Sequence, residues 1–339
     1  MAKLAGVSVG TVSHVITGAV PVTDGLRSKV EAAIRELNYH PNHVARSLKT
    51  SKTRTLGIVV PDMTIPFFPQ VISGAEAAAR ERGYVVIAVN SGDDGERQKE
   101  LLSLLRSQRV EGILLVVASA PTPQTQISRI LEAGIPIVCC DRVPERLRVD
   151  SVSVENREAG RLGFQHLLDA GYRRIAVATG PLALRNERQR LLGCREAADE
   201  AGIGLEPDLI WEGNLRVEDV TALCRDHLAR PGRPEAILST NGPTALGVLR
   251  AFRAHGLSTP RDMGFATFDE LTVDEIFLPS ITTIVQPSYE IGFRAAELLL
   301  ERIEGGSAAA EPMMVRLPAV LKIRESSRPP DVLAASLKQ

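Results

Sequence analysis

Residues 2–16, Ala2-Lys3-Leu4-Ala5-Gly6-Val7-Ser8-Val9-Gly10-Thr11-Val12-Ser13-His14-Val15-Ile16, read as a helix, a glycine-containing turn and a second helix. Ser8 stands where its hydroxyl would take up an open N–H of the second helix's first turn. Helical spacing puts Val12, Val15 and Ile16 on one face and leaves Gly10, Thr11, Ser13, His14 and Thr17 outward. After Thr23 a third amphipathic helix is predicted, with Leu26, Val30, Ile34 and Leu37 inward. Three short helices in this order make a helix-turn-helix unit over residues 1–40, whose second helix fits the major groove of duplex DNA.

Charge follows the same division. The chain is close to neutral, with 40 Lys and Arg against 41 Asp and Glu, yet residues 1–54 carry +5 and the remainder −6. A basic head on an acidic body confines phosphate attraction to the N-terminus. Its 339 residues suit two or three domains, and a hydrophobic content of 44% provides ample core. No apolar run reaches membrane-spanning length, and the N-terminus lacks the apolar core of an export signal. Cys139, Cys140, Cys194 and Cys224 have no metal-binding spacing, and the adjacent pair lies in an apolar strand. Buried reduced thiols, a cytoplasmic location and no metal are expected.

From Leu56 onward, apolar strand-like runs alternate with amphipathic helices. One set of strands reads at Leu56–Val60, Val85–Val89, Ile113–Val117 and Pro136–Cys140. A second reads at Ile175–Ala178, Leu209–Trp211, Ala236–Leu238 and Gly264–Thr267. Continuous apolar strands between helices argue for parallel sheets covered on both faces, so the fold class is α/β with two doubly wound lobes. A single large sheet is disfavoured because each set has its own complement of helices. In such sheets ligands sit beyond the carboxyl ends of the strands. Those ends place Asp62, Asn90, Asp141, Gly180, Asn241 and Asp269 around one cleft, a set suited to a ligand rich in hydroxyls. Each of these residues has an alternative reading as a helix cap.

Three ordered motifs carry a resemblance that covers nearly the whole chain. They are Ala5-Gly6-Val7-Ser8 with Thr11-Val12-Ser13, Pro41-Asn42-His43-Val44-Ala45-Arg46-Ser47-Leu48, and Gly57-Ile58-Val59-Val60-Pro61-Asp62. In this order and spacing they resemble the LacI-type bacterial transcription repressors. The resemblance implies a hinge helix and linker at 41–54 and an effector-binding and dimerisation body at 55–330. It implies a first lobe of about 55–150 plus 287–312, a second of about 151–286 plus 313–328, and a tail at 329–339. It also implies three crossings of the chain between lobes. The body resembles that of the type I periplasmic binding proteins, and an exported small-molecule carrier without a DNA role is the alternative. An enzyme is disfavoured, since the sequence has no HExxH, Walker A, Gly-x-Ser-x-Gly or Rossmann fingerprint.

By the same resemblance Val9, Gly10 and His14 would face base edges, with Thr11 and Ser13 nearer the phosphates. His14 stands where many relatives have Arg and is less selective for guanine than a bidentate Arg. Asn42, His43, Ala45, Leu48 and Lys49 would also contact DNA, Leu48 as a wedge in the minor groove. Residues 42–49 are too few for a stable isolated helix and would order when two copies meet on DNA. Arg190 matches the residue that clamps the effector, Asp269 and Gln286 match further polar contacts, and Phe67 and Phe68 match the loop that packs on the ligand. The family's first helix normally begins about four residues before Ala2, so here it should be little more than a turn. Gly242 replaces a usual Asp, Leu215 a stacking aromatic, and Glu155-Asn156 a common Asp-Asn. These departures favour a sugar, sugar acid or other polyol over a flat nucleobase. The expected partners are double-stranded operator DNA, a small carbohydrate-like effector and a second copy of the chain, with no membrane and no cofactor.

Overall fold

The computed structural model describes residues 1–17, 20–37, 53–119, 124–144, 147–271, 279–305 and 311–329. The chain divides into two units, Met1–Thr53 and Arg54–Gln339.

The first unit holds helices α1 (Ala2–Ala5), α2 (Val9–Thr17) and α3 (Asp24–Glu36). Gly6 ends α1 with φ 65°, a left-handed turn that costs glycine little. The Ser8 hydroxyl accepts the Thr11 N–H at 3.0 Å and so caps α2, as the sequence predicts. Ala5, Val12, Val30 and Ala33 form the core, with Val7, Val15 and Ile34 packed against it. Leu26 and Leu37 do not join them: both are exposed, so the inner stripe of α3 is narrower than its spacing predicts.

The second unit holds two six-stranded sheets. The first contains β1 (Thr55–Val60), β2 (Val85–Asn90), β3 (Gly112–Leu115), β4 (Ile137–Cys140) and β5 (Asp150–Val154). Between them run α4 (Phe67–Glu81), α5 (Gly95–Ser107) and α6 (Gln124–Glu132). The second contains β6 (Ile175–Thr179), β7 (Ile210–Glu212), β8 (Ala236–Ser239), β9 (Gly264–Phe268) and β10 (Thr282–Val285). Its helices are α7 (Asn156–Asp169), α8 (Arg185–Glu200), α9 (Val217–Ala229) and α10 (Gly242–Ala254). Helix α11 (Ser288–Gly305) and strands β11 (Met314–Leu317) and β12 (Val320–Lys322) close the fold. Strand orders are β11-β5-β4-β3-β1-β2 and β12-β10-β9-β8-β6-β7. All pairings are parallel except β10 with β12.

These pairings correct the lobe boundaries. Asp150–Val154 pairs with β4, and Met314–Leu317 pairs with β5, so both strands belong to the first lobe. A strand's apolar pattern shows that it enters a sheet but not which of two similar sheets accepts it. Three crossings result, after β5, after β10 and between β11 and β12. Helix α11 returns to the first lobe and packs on α4. Strand β2 is not covered on both faces: it is an edge strand, with Val85 65% exposed and Ile87 also exposed.

Candidate functional site

The head presents a mixed face. Val9, at the start of α2, is 76% exposed, and Gly10 and His14 are exposed beside it. Thr11 and Ser13 are partly exposed, and Thr11 also shares a 2.9 Å hydrogen bond with the Ser8 hydroxyl. Asn42, His43, Ala45, Leu48 and Lys49 lie outside the described residues.

The body places its polar groups where the two sheets end. Phe67, Phe68, Asp141, Arg190, Asn241, Asp269 and Gln286 line one cavity. The phenyl rings of Phe67 and Phe68 meet edge to face at 5.2 Å. As it stands the cavity has a volume of about 30 Å³, room for one or two water molecules. Asp62 and Asn90 are not among its lining residues. Asp62 accepts the Thr64 N–H at 2.8 Å and the Thr64 hydroxyl at 2.7 Å, which makes it the cap of a turn.

Arg190 sits at the centre. Its guanidinium is only 2% exposed and lies 4.5 Å from the centroid of the Phe268 ring. Nε donates to Asn156 Oδ1 at 2.7 Å, Nη1 to the Thr240 carbonyl at 2.6 Å and Nη2 to Gln286 Oε1 at 2.8 Å. Gln286 in turn donates from Nε2 to Asp269 Oδ1 at 2.6 Å. Glu187 approaches Arg190 at 3.5 Å and accepts from the Thr179 hydroxyl, the Gly180 N–H and the Thr240 hydroxyl. A buried cation is tolerated here because each nitrogen meets an oxygen.

Helix geometry sets this position. Gly193 of α8 and Gly160 of α7 face each other's helix so closely that a methyl on either would overlap a carbonyl oxygen, of Arg157 and Arg190 respectively. The crossing therefore holds the backbone of Arg190 against α7, which starts at Asn156. The helix-opening run Asn186-Glu187-Arg188-Gln189-Arg190 puts residues 186, 187 and 190 on one face, and that spacing was a readable signal for Asn186 and Glu187. Sequence reasoning also missed Arg142, another lining residue, whose Nη1 donates to Asp93 at 2.6 Å.

Three lining atoms are buried without a hydrogen-bond partner: Asp141 Oδ1, Asn186 Oδ1 and Asn241 Nδ2. Asn241 caps α10 through its Oδ1, which accepts the Thr244 N–H at 2.9 Å. The capping alternative and the cavity reading both hold for this residue, since its amide nitrogen is left over as a donor. Burial pushes the Asp141 carboxyl up to about 6, against the opposing pull of Arg190 at 3.9 Å and of Arg142. Burial also raises Asp269, again opposed by Arg190 and by its bond to Gln286. Both aspartates have left-handed backbones, φ 57° at Asp141 and 66° at Asp269, a conformation that asparagine and aspartate tolerate best among side-chain-bearing residues.

Two acceptors and one donor without hydrogen-bond partners thus surround a buried cation, with two phenyl rings in the same lining. Comparison with known proteins assigns most of the chain. Residues 1–42 match the family model for bacterial regulatory proteins of the lacI family, and residues 53–325 match that for periplasmic binding proteins and the sugar binding domain of the LacI family. The chain belongs to the LacI family of transcription regulators. This LacI-family chain is 36% identical over 304 residues to the HTH-type transcriptional repressor PurR of Vibrio parahaemolyticus, covering 90% of this chain and 91% of that protein. It is 35% identical over 303 residues to the ribose operon repressor of Escherichia coli, covering 89% and 92%. The crystal structure of the Lac repressor dimer bound to operator and the anti-inducer ONPF superposes with a TM-score of 0.83 at 27% identity, covering 96% and 97%. A complex of the transcriptional regulator CelR with cellobiose gives a TM-score of 0.73 at 33% identity, covering 96% and 98%. Among the described residues no helix is long and apolar enough to cross a membrane.

Proposed function

We propose that the protein is a cytoplasmic homodimeric repressor that releases or grips a pseudo-palindromic operator in response to a hydroxylated ligand of sugar type. The observation that carries the ligand class is the trio of unpartnered atoms, Asp141 Oδ1, Asn186 Oδ1 and Asn241 Nδ2, around Arg190. Vicinal hydroxyls donate and accept at once, and a sugar presents several on a ring whose C–H face suits Phe67 and Phe68. Leu215 lines the same cavity and offers no flat surface on which a purine base could stack. Relatives named as ribose operon repressor and as a cellobiose complex favour the same class. Dimerisation is supported by the unpaired edge of β2 with exposed Val85 and Ile87, together with exposed Leu104 and Leu246. On DNA, Val9, Gly10 and His14 are assigned to base edges, Thr11 and Ser13 to phosphates, and the segment with Asn42, His43, Ala45, Leu48 and Lys49 to the hinge contact.

A melting-temperature screen of D-ribose, D-glucose, cellobiose and a purine base, followed by fluorescence anisotropy on a duplex selected from random sequence, tests this reading. A sugar should raise the melting temperature and change operator affinity, and Arg190→Ala should remove both effects. Stabilisation by the purine base alone would contradict the ligand class, and affinity for DNA that ignores salt would contradict the DNA role.

A further inference from the structure

The cavity around Arg190 is not the largest hollow of the body. A groove of about 480 Å³ lies beside it, and Asp141 and Asn186 line both. The groove's floor is the face of the first sheet at its β11 edge. Strands β5 and β11 run parallel with Ser151 opposite Met314 and Ser153 opposite Arg316, and the two-residue period of a strand puts these four side chains on one face. Its other wall comes from the second lobe, where α8 supplies Arg185 and Gln189.

Three of these side chains are uncommitted. Arg185, Gln189 and Arg316 have no hydrogen-bond or ion-pair partner among the described residues. Arg157, by contrast, is held by Glu196 with Nε to Oε2 at 2.7 Å. The groove carries arginines and carboxylates in near balance, since Glu155, Glu158 and Glu196 line it with Asp141. An anion would meet as much repulsion as attraction there. A neutral unit with many hydroxyls can donate to the carboxylates and accept from arginine, glutamine and serine. Met314, 60% exposed, gives that unit an apolar contact.

The residues shared by the two spaces are polar. Asp141 Oδ1 and Asn186 Oδ1 are both buried without a hydrogen-bond partner, and both belong to residues that line cavity and groove alike. A sugar hydroxyl placed beside them donates to acceptors that are otherwise buried without a hydrogen bond.

We propose that the effector is a molecule of two linked sugar units, one in the Arg190 cavity and the second in the groove between β5, β11 and α8. This rests on the reading of the cavity as a site for a hydroxylated ligand.

The test uses the full-length protein and isothermal titration with D-glucose, D-galactose and D-xylose against cellobiose, maltose, lactose and xylobiose. At least one disaccharide should bind tenfold or more tightly than either of its component sugars. The double substitution Gln189→Ala with Arg316→Ala should cut that advantage to less than twofold. Ser153→Trp, which fills the groove from the sheet side, should do the same, and unchanged melting temperatures without sugar show that the variants are folded. Monosaccharides that bind, depend on Arg190 and match every disaccharide would overturn the groove and leave the cavity reading standing. Failure of every sugar to bind would overturn both.

Discussion

In both lobes of the body two helices cross so closely that backbone meets backbone. Gly74 of α4 faces the Tyr289 carbonyl of α11, and Gly292 of α11 faces the Val71 carbonyl. In the second lobe Gly193 faces Arg157 and Gly160 faces Arg190, with the same spacing of three between contacts. The position that is Val71 in the first lobe is therefore Arg190 in the second, and both side chains are buried. Asp141 and Asp269 form a similar pair, each following the third strand from the same end of its sheet, each with positive φ. Asp269 is tied to Gln286, whereas Asp141 keeps an unpartnered oxygen. One lobe carries the polar wiring, and the other brings to it a carboxylate oxygen that only the Arg190 charge approaches, at 3.9 Å. A shared scaffold thus becomes a site by substitution at a few equivalent positions, with the backbone plan unchanged.

The crossings give the largest expected effect. Gly193→Ala and Gly74→Ala should each cost about 3 kcal/mol or more in denaturant unfolding, because the added methyl meets a carbonyl that cannot move alone. The two should match in stability and differ in function. Gly193→Ala moves the helix that bears Arg190, and Gly74→Ala does not. A harmless change at either glycine breaks the comparison.

Arg190→Val copies the first lobe into the second. It strands Asn156, Gln286 and the Thr240 carbonyl, at a cost of about 2–4 kcal/mol, and should abolish any response to sugar in melting or titration. Retained sugar binding would show that the wiring is structural and nothing more.

The aspartates respond to pH. A carboxyl raised in the folded state contributes stability below its ordinary value that is lost as pH rises through the folded one. For Asp141 that window runs from about 4 to about 6. Asp141→Asn should thus be more stable than wild type at pH 7.5, by about 3 kcal/mol or less, with the gap closing as pH falls towards 4. Hydroxyls donate to the ionised form, so sugar affinity of the wild type should rise from pH 5 to pH 7 and that of Asp141→Asn should rise less, through Asp269 alone. A flat wild-type profile would place the ligand elsewhere.

The smallest effect separates the aspartates that line the cavity from the one that does not. Asp62→Ala loses its turn with Thr64 and should cost about 1 kcal/mol, with sugar affinity changed less than twofold.

Much of this was legible in the chain. The helix-turn-helix showed in the Ser8 cap and the Val12 spacing, and the two-lobed body in its alternating strands and helices. Residues at strand ends gave Asp141, Asn241 and Asp269 directly. What stayed hidden depends on tertiary neighbours. Asp150–Val154 and Met314–Leu317 look like strands of either lobe, and only pairing assigns them. Asp62 and Asp141 follow similar strands, yet a threonine two residues on captures the first for a turn. Leu26 fits the helical stripe of α3, yet it lies outside the core of the head.

Occupancy of the Arg190 cavity by a sugar should be linked to operator binding. The direct test is titration calorimetry of the sugar that most raises the melting temperature, with and without saturating operator, alongside anisotropy of operator with and without that sugar. The account predicts that operator changes sugar affinity by the same factor as sugar changes operator affinity, and that both factors fall to one in Arg190→Ala. Equal sugar affinities with and without operator, beside a real effect of sugar on operator binding, would contradict it.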